Sequence, residues 1–369
     1  MHLCDKIEQI RLQAGCPYLD VVCYQDHQKK FRYLSGENTT GKEVLYMYSC
    51  GKVVTVVAAM RLIERGLMNL DDLVYKYLPI IENAFIINAN KEKQFVGKTM
   101  TIRHLFSMTA GFTYDMGTEP ILRLAKESNG KATLIDFIPK FVETPLSFEP
   151  GSRFQYSLCH DMLAAVVEVV SGKKFSLYVK EEIFLPLGML HSRFDNREQE
   201  VADVYMAFEN GKVEKINEGK ILLPTRCYES GGGGFVSTVE DCILFADALA
   251  SGGVAHNGYR VLDESFLQQI TTIQTSISIQ NGFTCIQGDD YGYGLGVRVR
   301  KIPTDWGLGK GEFGWDGAAG SYIMIDPNRQ VAIFIGMHLR NWPNVFKGKH
   351  LEIVREIYRE VLNEDEDGD

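Results

Sequence analysis

The segment Val53–Ile63, VVTVVAAMRLI, is the strongest constraint in the chain. It is too long and too apolar for a strand, and it runs into Glu64-Arg65-Gly66, where a glycine can close a helix. The pattern predicts a buried helix. A helix that is apolar around most of its circumference must be covered on several sides, so the rest of the chain has to wrap it. Just ahead of it, in MYSCGKVV, stand Ser49 and Lys52. Two readings are open at this point. The pair is either an ordinary polar opening to a buried helix, or a nucleophile with its base one turn away.

The second reading has a chemical logic. A serine hydroxyl is a poor nucleophile at neutral pH and needs a base within hydrogen-bond reach. Residues i and i+3 share a helix face, which would make Ser49 and Lys52 neighbours. Burial and the positive end of the helix dipole both favour a neutral lysine. The unpaired N–H groups of the same helix start suit an oxyanion formed at Ser49. The spacing alone is common: S-x-x-K occurs at Ser49/Lys52, Ser128/Lys131 and Ser171/Lys174. The last two lie in polar, glycine-containing turns, where the lysine is expected to be solvated.

Elsewhere, Leu3, Ile7, Ile10 and Leu12 recur at helical spacing before Gly15. YLDVVCYQD and KKFRYLSG read as two strands joined by a polar turn. From about Leu70 to Pro224 the pattern is mainly helical, with DMLAAVVEVVSG as a second apolar helix. A helix at Val239–Leu249 follows, then the strand-like runs YGLGVRVRK, GSYIMIDP and VAIFIGMH, and the amphipathic HLEIVREIYREVL. The expected fold class is α/β of the α+β kind, an antiparallel sheet flanked by helices. Its sheet part spans about 1–70 and 230–362, and a mainly helical subdomain spans about 71–229. No repeat or linker divides residues 1–362, so they read as one module, followed by an acidic tail at 363–369.

The formal net charge of -9 argues against a nucleic-acid surface. With 45% apolar and 24% charged residues, the chain has the balance of a globular protein with a substantial core. No segment approaches the roughly 18 uninterrupted apolar residues of a membrane span, and the N-terminus lacks a secretory pattern. The eight cysteines form no C-x-x-C pair. Free thiols in a reducing cytoplasm are therefore expected.

Several longer segments carry a resemblance. YSCGKVVTVVAAMRLIERGLMNLDDLVYKYLP resembles the nucleophile helix of the serine β-lactamase and penicillin-binding-protein-like family, which holds class C β-lactamases, D-Ala-D-Ala carboxypeptidases and related esterases. TIRHLFSMTAGF, FEPGSRFQYS, IFLPLGM, GGGGFVSTVEDCILFADAL and YGYGLGV are similar to further segments of that family, in the family's order, from about residue 40 to about 340. The resemblance implies a β-lactamase/transpeptidase-like fold with Ser49 as nucleophile and Lys52 beside it. Tyr156 takes the tyrosine of a Tyr-x-Asn motif, as a group that shuttles protons. Leu158 replaces that motif's asparagine, which usually holds a substrate amide. Trp315-Asp316-Gly317 occupies the place of Lys-Thr-Gly, with Trp315 in place of a cation. The N–H groups of Ser49 and Ala318 would form the oxyanion hole. Gly317 suits a close backbone approach, while Asp316 either bonds locally or disfavours anionic substrates.

The two departures point away from amides and carboxylates and toward esters with an apolar part. The expected activity is acyl-enzyme ester hydrolysis, with a small-molecule substrate and no metal or organic cofactor. The alternatives are a D-amino-acid peptidase or amidase with weak β-lactamase activity, and a silent binding protein of the same fold. Other features read as structural. SGGGG at Ser230–Gly234 lacks the Gly-Lys-Ser/Thr of a phosphate loop and is expected to wall the pocket. His104, His160 and His338 lack metal-ligand spacing, Cys50 reads as packing, and Arg298, Arg300 and Lys301 read as the solvent side of a strand.

Overall fold

The computed structural model of the chain describes residues 2–36, 39–194, 201–216, 223–274, 283 and 288–362. The acidic tail and Cys285 lie outside the described residues. The first helix, α1 (Leu3–Gln13), buries Leu3, Ile7 and Ile10 and leaves Leu12 exposed. The hairpin β1 (Tyr18–Gln25) and β2 (Gln28–Gly36) follows. The apolar segment forms α2 (Gly51–Glu64), closed by Gly66 with φ +69° and its N–H on the Ile63 carbonyl at 2.9 Å. DMLAAVVEVVSG forms α3 (Cys159–Ser171), and the helix after the glycine loop is α4 (Val239–Ala250). The last third of the chain supplies β3 (Tyr291–Tyr293), β4 (Arg298–Arg300), β5 (Phe313–Asp316), β6 (Tyr322–Asp326), β7 (Val331–Gly336) and α5 (Lys349–Ile357).

These strands form one seven-stranded sheet in the order β2-β1-β7-β6-β5-β4-β3, antiparallel at every pairing. The two ends of the chain meet in it: β1 lies against β7, with Val22 opposite Phe334. The expected antiparallel sheet with flanking helices is thus the observed fold. Both faces of the central strands are covered, which is why their sequences read as continuous apolar runs. On one face, Val22, Phe313, Ile323, Ile325 and Phe334 join the core built around α2, α3 and α4. On the other, Leu19, Val21, Cys23, Met324, Ile333 and Ile335 pack with α1 and α5. Every residue of α2 from Gly51 to Leu62 is buried, Lys52 included.

The middle of the chain holds more than helices. Phe85–Ile87 pairs with Lys93–Phe95, and Val204–Ala207 pairs with Val213–Ile216. The second hairpin turns at Asn210-Gly211, with Gly211 at φ +80°. Asn-Gly between alternating runs is the strongest short-range hairpin signal, and it could have identified this element. The reading of Arg298 and Arg300 as solvent-facing is overturned: they are 1% and 3% exposed. Fully buried Glu312 accounts for this, lying 3.2 Å from Arg298 Nη2 and 3.6 Å from Arg300 Nε. Arg300 also donates to the Tyr291 hydroxyl at 2.7 Å, and the Arg298 guanidinium lies 4.2 Å from the Tyr322 ring centre.

Candidate active site

Ser49 does not sit in the α-helix itself but in a 3-10 turn, Tyr48–Cys50, that leads into α2. The i+3 relation survives this change. Lys52 Nζ donates to Ser49 Oγ at 3.1 Å. Two other contacts fix the amine: it donates to the Tyr114 hydroxyl at 3.3 Å and to the carbonyl oxygen of Gly232. The rings of Tyr156 and Tyr114 lie 4.7 and 5.4 Å from Nζ. Burial drives the Lys52 amine down to about 7, against the opposing pull of Asp161. The lysines of the other two S-x-x-K matches, Lys131 and Lys174, are exposed.

Tyr156 reaches the same point from the segment before α3. Its hydroxyl accepts from Trp315 Nε1 at 3.2 Å and bonds Ser49. Its ring stacks between Trp315 and Tyr114, with both centre separations 5.6 Å. Burial raises its pKa well above the usual phenol range, so the neutral phenol is the resting form. Trp315 is the penultimate residue of β5 and is 2% exposed; its indole both lines the pocket and holds Tyr156. Gly317 closes the turn after β5, its N–H on the Ser321 carbonyl at 2.7 Å. A Cβ there would stand 2.7 Å from the Met47 carbonyl oxygen, so only glycine lets this turn lie against the strand leading to Ser49.

Ser49 and Ala318 both border two cavities. One, of about 370 Å³, is lined by Tyr114, Leu158, Asp161, Tyr228 and the glycine loop, among others. The other, of about 620 Å³, is lined by Tyr156, Trp315, Asp316 and Gly317, and also by Arg298, Arg340 and Lys347. Both fall in the size range of small-molecule sites. The structure therefore brings all the sequence-predicted residues to one place. It also changes one argument. Trp315 removes a cation from its own position, but three others line the same cavity, so the expectation that carboxylates are disfavoured does not follow from Trp315 alone.

The residues that the sequence reading missed are Tyr114, Asp161 and Tyr228. Asp161 is 1% exposed and accepts from the Tyr228 hydroxyl at 3.1 Å. The residues set aside as structural keep that role. Buried His160 has Nε2 3.3 Å from the Phe106 carbonyl, and His338 bridges the Tyr46 N–H and the Ala202 carbonyl. Buried Cys50 lies with Sγ 3.2 Å from the Ser321 carbonyl. Among the described residues, no group of three His, Cys, Asp or Glu side chains is arranged to hold a metal, and no helix is long and apolar enough to cross a membrane.

A profile of the family described as Beta-lactamase matches residues 13–354. A lovastatin esterase of Penicillium rubens is 28% identical over 47% of this chain, and the match spans about half (48%) of that protein's length. Esterase EstB of Burkholderia gladioli is 27% identical over 75% of this chain and 73% of its own. Among solved structures, EstCE1, described as a hydrolase with promiscuous acyltransferase activity, superimposes with a TM-score of 0.79. It covers 96% of this chain and 98% of its own at 22% identity.

Proposed function

The chain belongs to the beta-lactamase family of serine hydrolases, and from that premise we propose that it is a carboxylesterase working through an acyl-enzyme on Ser49. The observation that carries this reading is the buried Lys52 amine, 3.1 Å from Ser49 Oγ at the junction of two cavities. Lys52 is the base. It takes the serine proton as Oγ attacks the ester carbonyl. Tyr156 relays that proton to the departing alcohol, because its hydroxyl touches Ser49 and its ring faces Lys52. The N–H groups of Ser49 and Ala318 hold the oxyanion. Water then releases the acid, with no metal or organic cofactor in any step. Residues 1–362 act as one catalytic module in the cytoplasm. The substrate is a small or medium ester with an apolar part: Leu158, Tyr114 and Tyr228 give one cavity a largely apolar wall, and Leu158 provides no amide-binding group.

One observation favours a second reading. Arg298, Arg340 and Lys347 line the larger cavity with Asp316 as the acidic residue among them. With the Arg298 charge met by Glu312, the Arg340 and Lys347 side of that wall suits a substrate carboxylate, as in an amidase or peptidase on amino-acid derivatives. Intact-protein mass after brief exposure to p-nitrophenyl butyrate, and separately to a penicillin, tests both in wild type and Ser49→Ala. A butyryl adduct or fast turnover that vanishes in the variant supports the esterase. An adduct with the penicillin alone moves the assignment to the amidase. No Ser49-dependent adduct with either leaves a silent binding protein of this fold.

A further inference from the structure

Asp161 is a buried carboxylate with no assigned task. It lies in the first turn of α3 at 1% exposure, and among the described residues it forms no ion pair within 4.0 Å. A carboxylate taken out of water needs compensation. The Tyr228 hydroxyl donates to Oδ1 at 3.1 Å, but buried Oδ2 has no hydrogen-bond partner among the described residues, and the Gly232 N–H beside it donates instead to Ser230 Oγ. The cation that it influences is Lys52. Gly232 stands between them. Its carbonyl accepts from Lys52 Nζ, and a Cβ on the same residue would be 2.6 Å from Asp161 Oδ2 and 3.1 Å from the Tyr114 hydroxyl. The glycine loop is thus threaded between α2 and α3, with the amine on one side of Gly232 and the carboxylate on the other. The absent side chain is what lets the two charges approach.

We propose that Asp161 is the internal counter-charge of Lys52, a positioning residue that sets the pH at which Lys52 can take the proton of Ser49. The proposal rests on the reading of Ser49 as nucleophile and Lys52 as its base. The other groups facing Lys52 do not provide this function. Cys50 precedes its own helix, and Cys159 and His160 come from α3; burial holds the thiols protonated and His160 neutral. Tyr114, Tyr156 and Tyr228 are phenols raised by burial. Asp316 also pulls on Lys52, but less than Asp161, and it is half-buried at the rim of the larger cavity beside Arg298. Asp161 is the enclosed carboxyl group of the set. Burial raises its pKa above the usual carboxylate range, and Ser230, Lys52 and Tyr228 pull it back toward ionisation.

The test is the pH dependence of Ser49 phosphonylation by an alkyl fluorophosphonate, followed by intact mass. In that step the Oγ–P bond forms, the P–F bond breaks, fluoride leaves, and the serine proton passes to Lys52. Wild type is compared with Asp161→Asn, which keeps the shape and removes the charge. The midpoint of the acid limb is expected to move to lower pH by about one unit, since a lost opposite charge lowers an amine's pKa. Tyr228→Phe weakens support for the carboxylate and is expected to give a smaller shift in the same direction. A thermal transition checks folding. If Asp161→Asn does not fold, Tyr228→Phe decides alone. Labelling that keeps its midpoint, or that falls by one factor at every pH, overturns the proposal and leaves Asp161 a structural residue. Wild type that takes no label at Ser49 removes the nucleophile assignment itself, and this inference falls with it.

Discussion

Lys52 ties the chemistry to pH. Burial brings its amine to about 7, and only the neutral amine can accept the Ser49 proton. Ester hydrolysis, followed as kcat/KM, is therefore expected to fall about tenfold per pH unit below that point and to level off above it. A profile flat from pH 5 to pH 8 would remove Lys52 as the base. Two tyrosines touch this lysine, and their contacts differ. Tyr156 is held by Trp315 Nε1 and bonds Ser49, whereas Tyr114 meets the amine. Tyr156→Phe is expected to lower kcat by about 10²–10⁴-fold, and Tyr114→Phe by far less; equal losses would make Tyr114 a second relay. At this scale the sequence was informative where covalent spacing does the positioning. Ser49 and Lys52 are one turn apart whatever the rest of the chain does. Tyr114 and Tyr228 reach the site through space, with no spacing to expose them. Asp161 reads as an ordinary acidic residue in the first turn of a helix.

Among the elements, the loop Ser230–Gly234 is more demanding than its composition suggests. Glycine runs usually read as freedom, yet here a Cβ on any of the four glycines would stand within 3.0 Å of a neighbouring atom. A Cβ on Gly231 would stand 2.3 Å from the His160 carbonyl oxygen and 2.6 Å from Ala164 Cβ, against backbone and helix that have no room to yield. Gly231→Ala is expected to destabilise the fold by about 1–3 kcal/mol, the range for overpacking a tight core. Thermal or urea unfolding measures it, and an unchanged midpoint would show that the loop has slack. The expectation that this loop walls the pocket was readable, but its tightness was not, because that depends on α3 lying behind it. The same limit explains β4. Arg298 and Arg300, two apart in a strand, share a face, and a charged face normally meets water. Glu312, from the turn before β5, reverses that expectation, and a loop partner leaves no periodic trace in the sequence.

Across the whole molecule, the site depends on a sheet assembled from the two ends of the chain, with a core on each face. The alternation of helical and strand patterns made that arrangement legible, since continuous apolar strands demand cover on both sides. The second face of the sheet gives a direct test, although His350 and Leu351 at the start of its last helix also line the larger cavity. The last helix, α5, and the turn after it bury Ile353, Val354, Ile357, Tyr358 and Leu362 against β1, β6 and β7. Each large apolar side chain contributes about 1.5–3 kcal/mol on burial. Together they rival the roughly 5–15 kcal/mol that separates a folded domain from its unfolded chain. Two polar contacts would go with them. Tyr358 donates to buried Asp326 at 2.8 Å, and Lys6 of α1 pairs with Glu356 at 2.7 Å. Ending the chain after Lys347 leaves Ser49, Lys52, Tyr156, Asp161 and Trp315 all in place. Even so, the shortened chain is expected to lose its cooperative thermal transition and with it any labelling of Ser49. If it unfolds within a few degrees of the full chain and still reacts, the core around α2 is sufficient alone, and the second face is an addition to the catalytic fold rather than a condition of it.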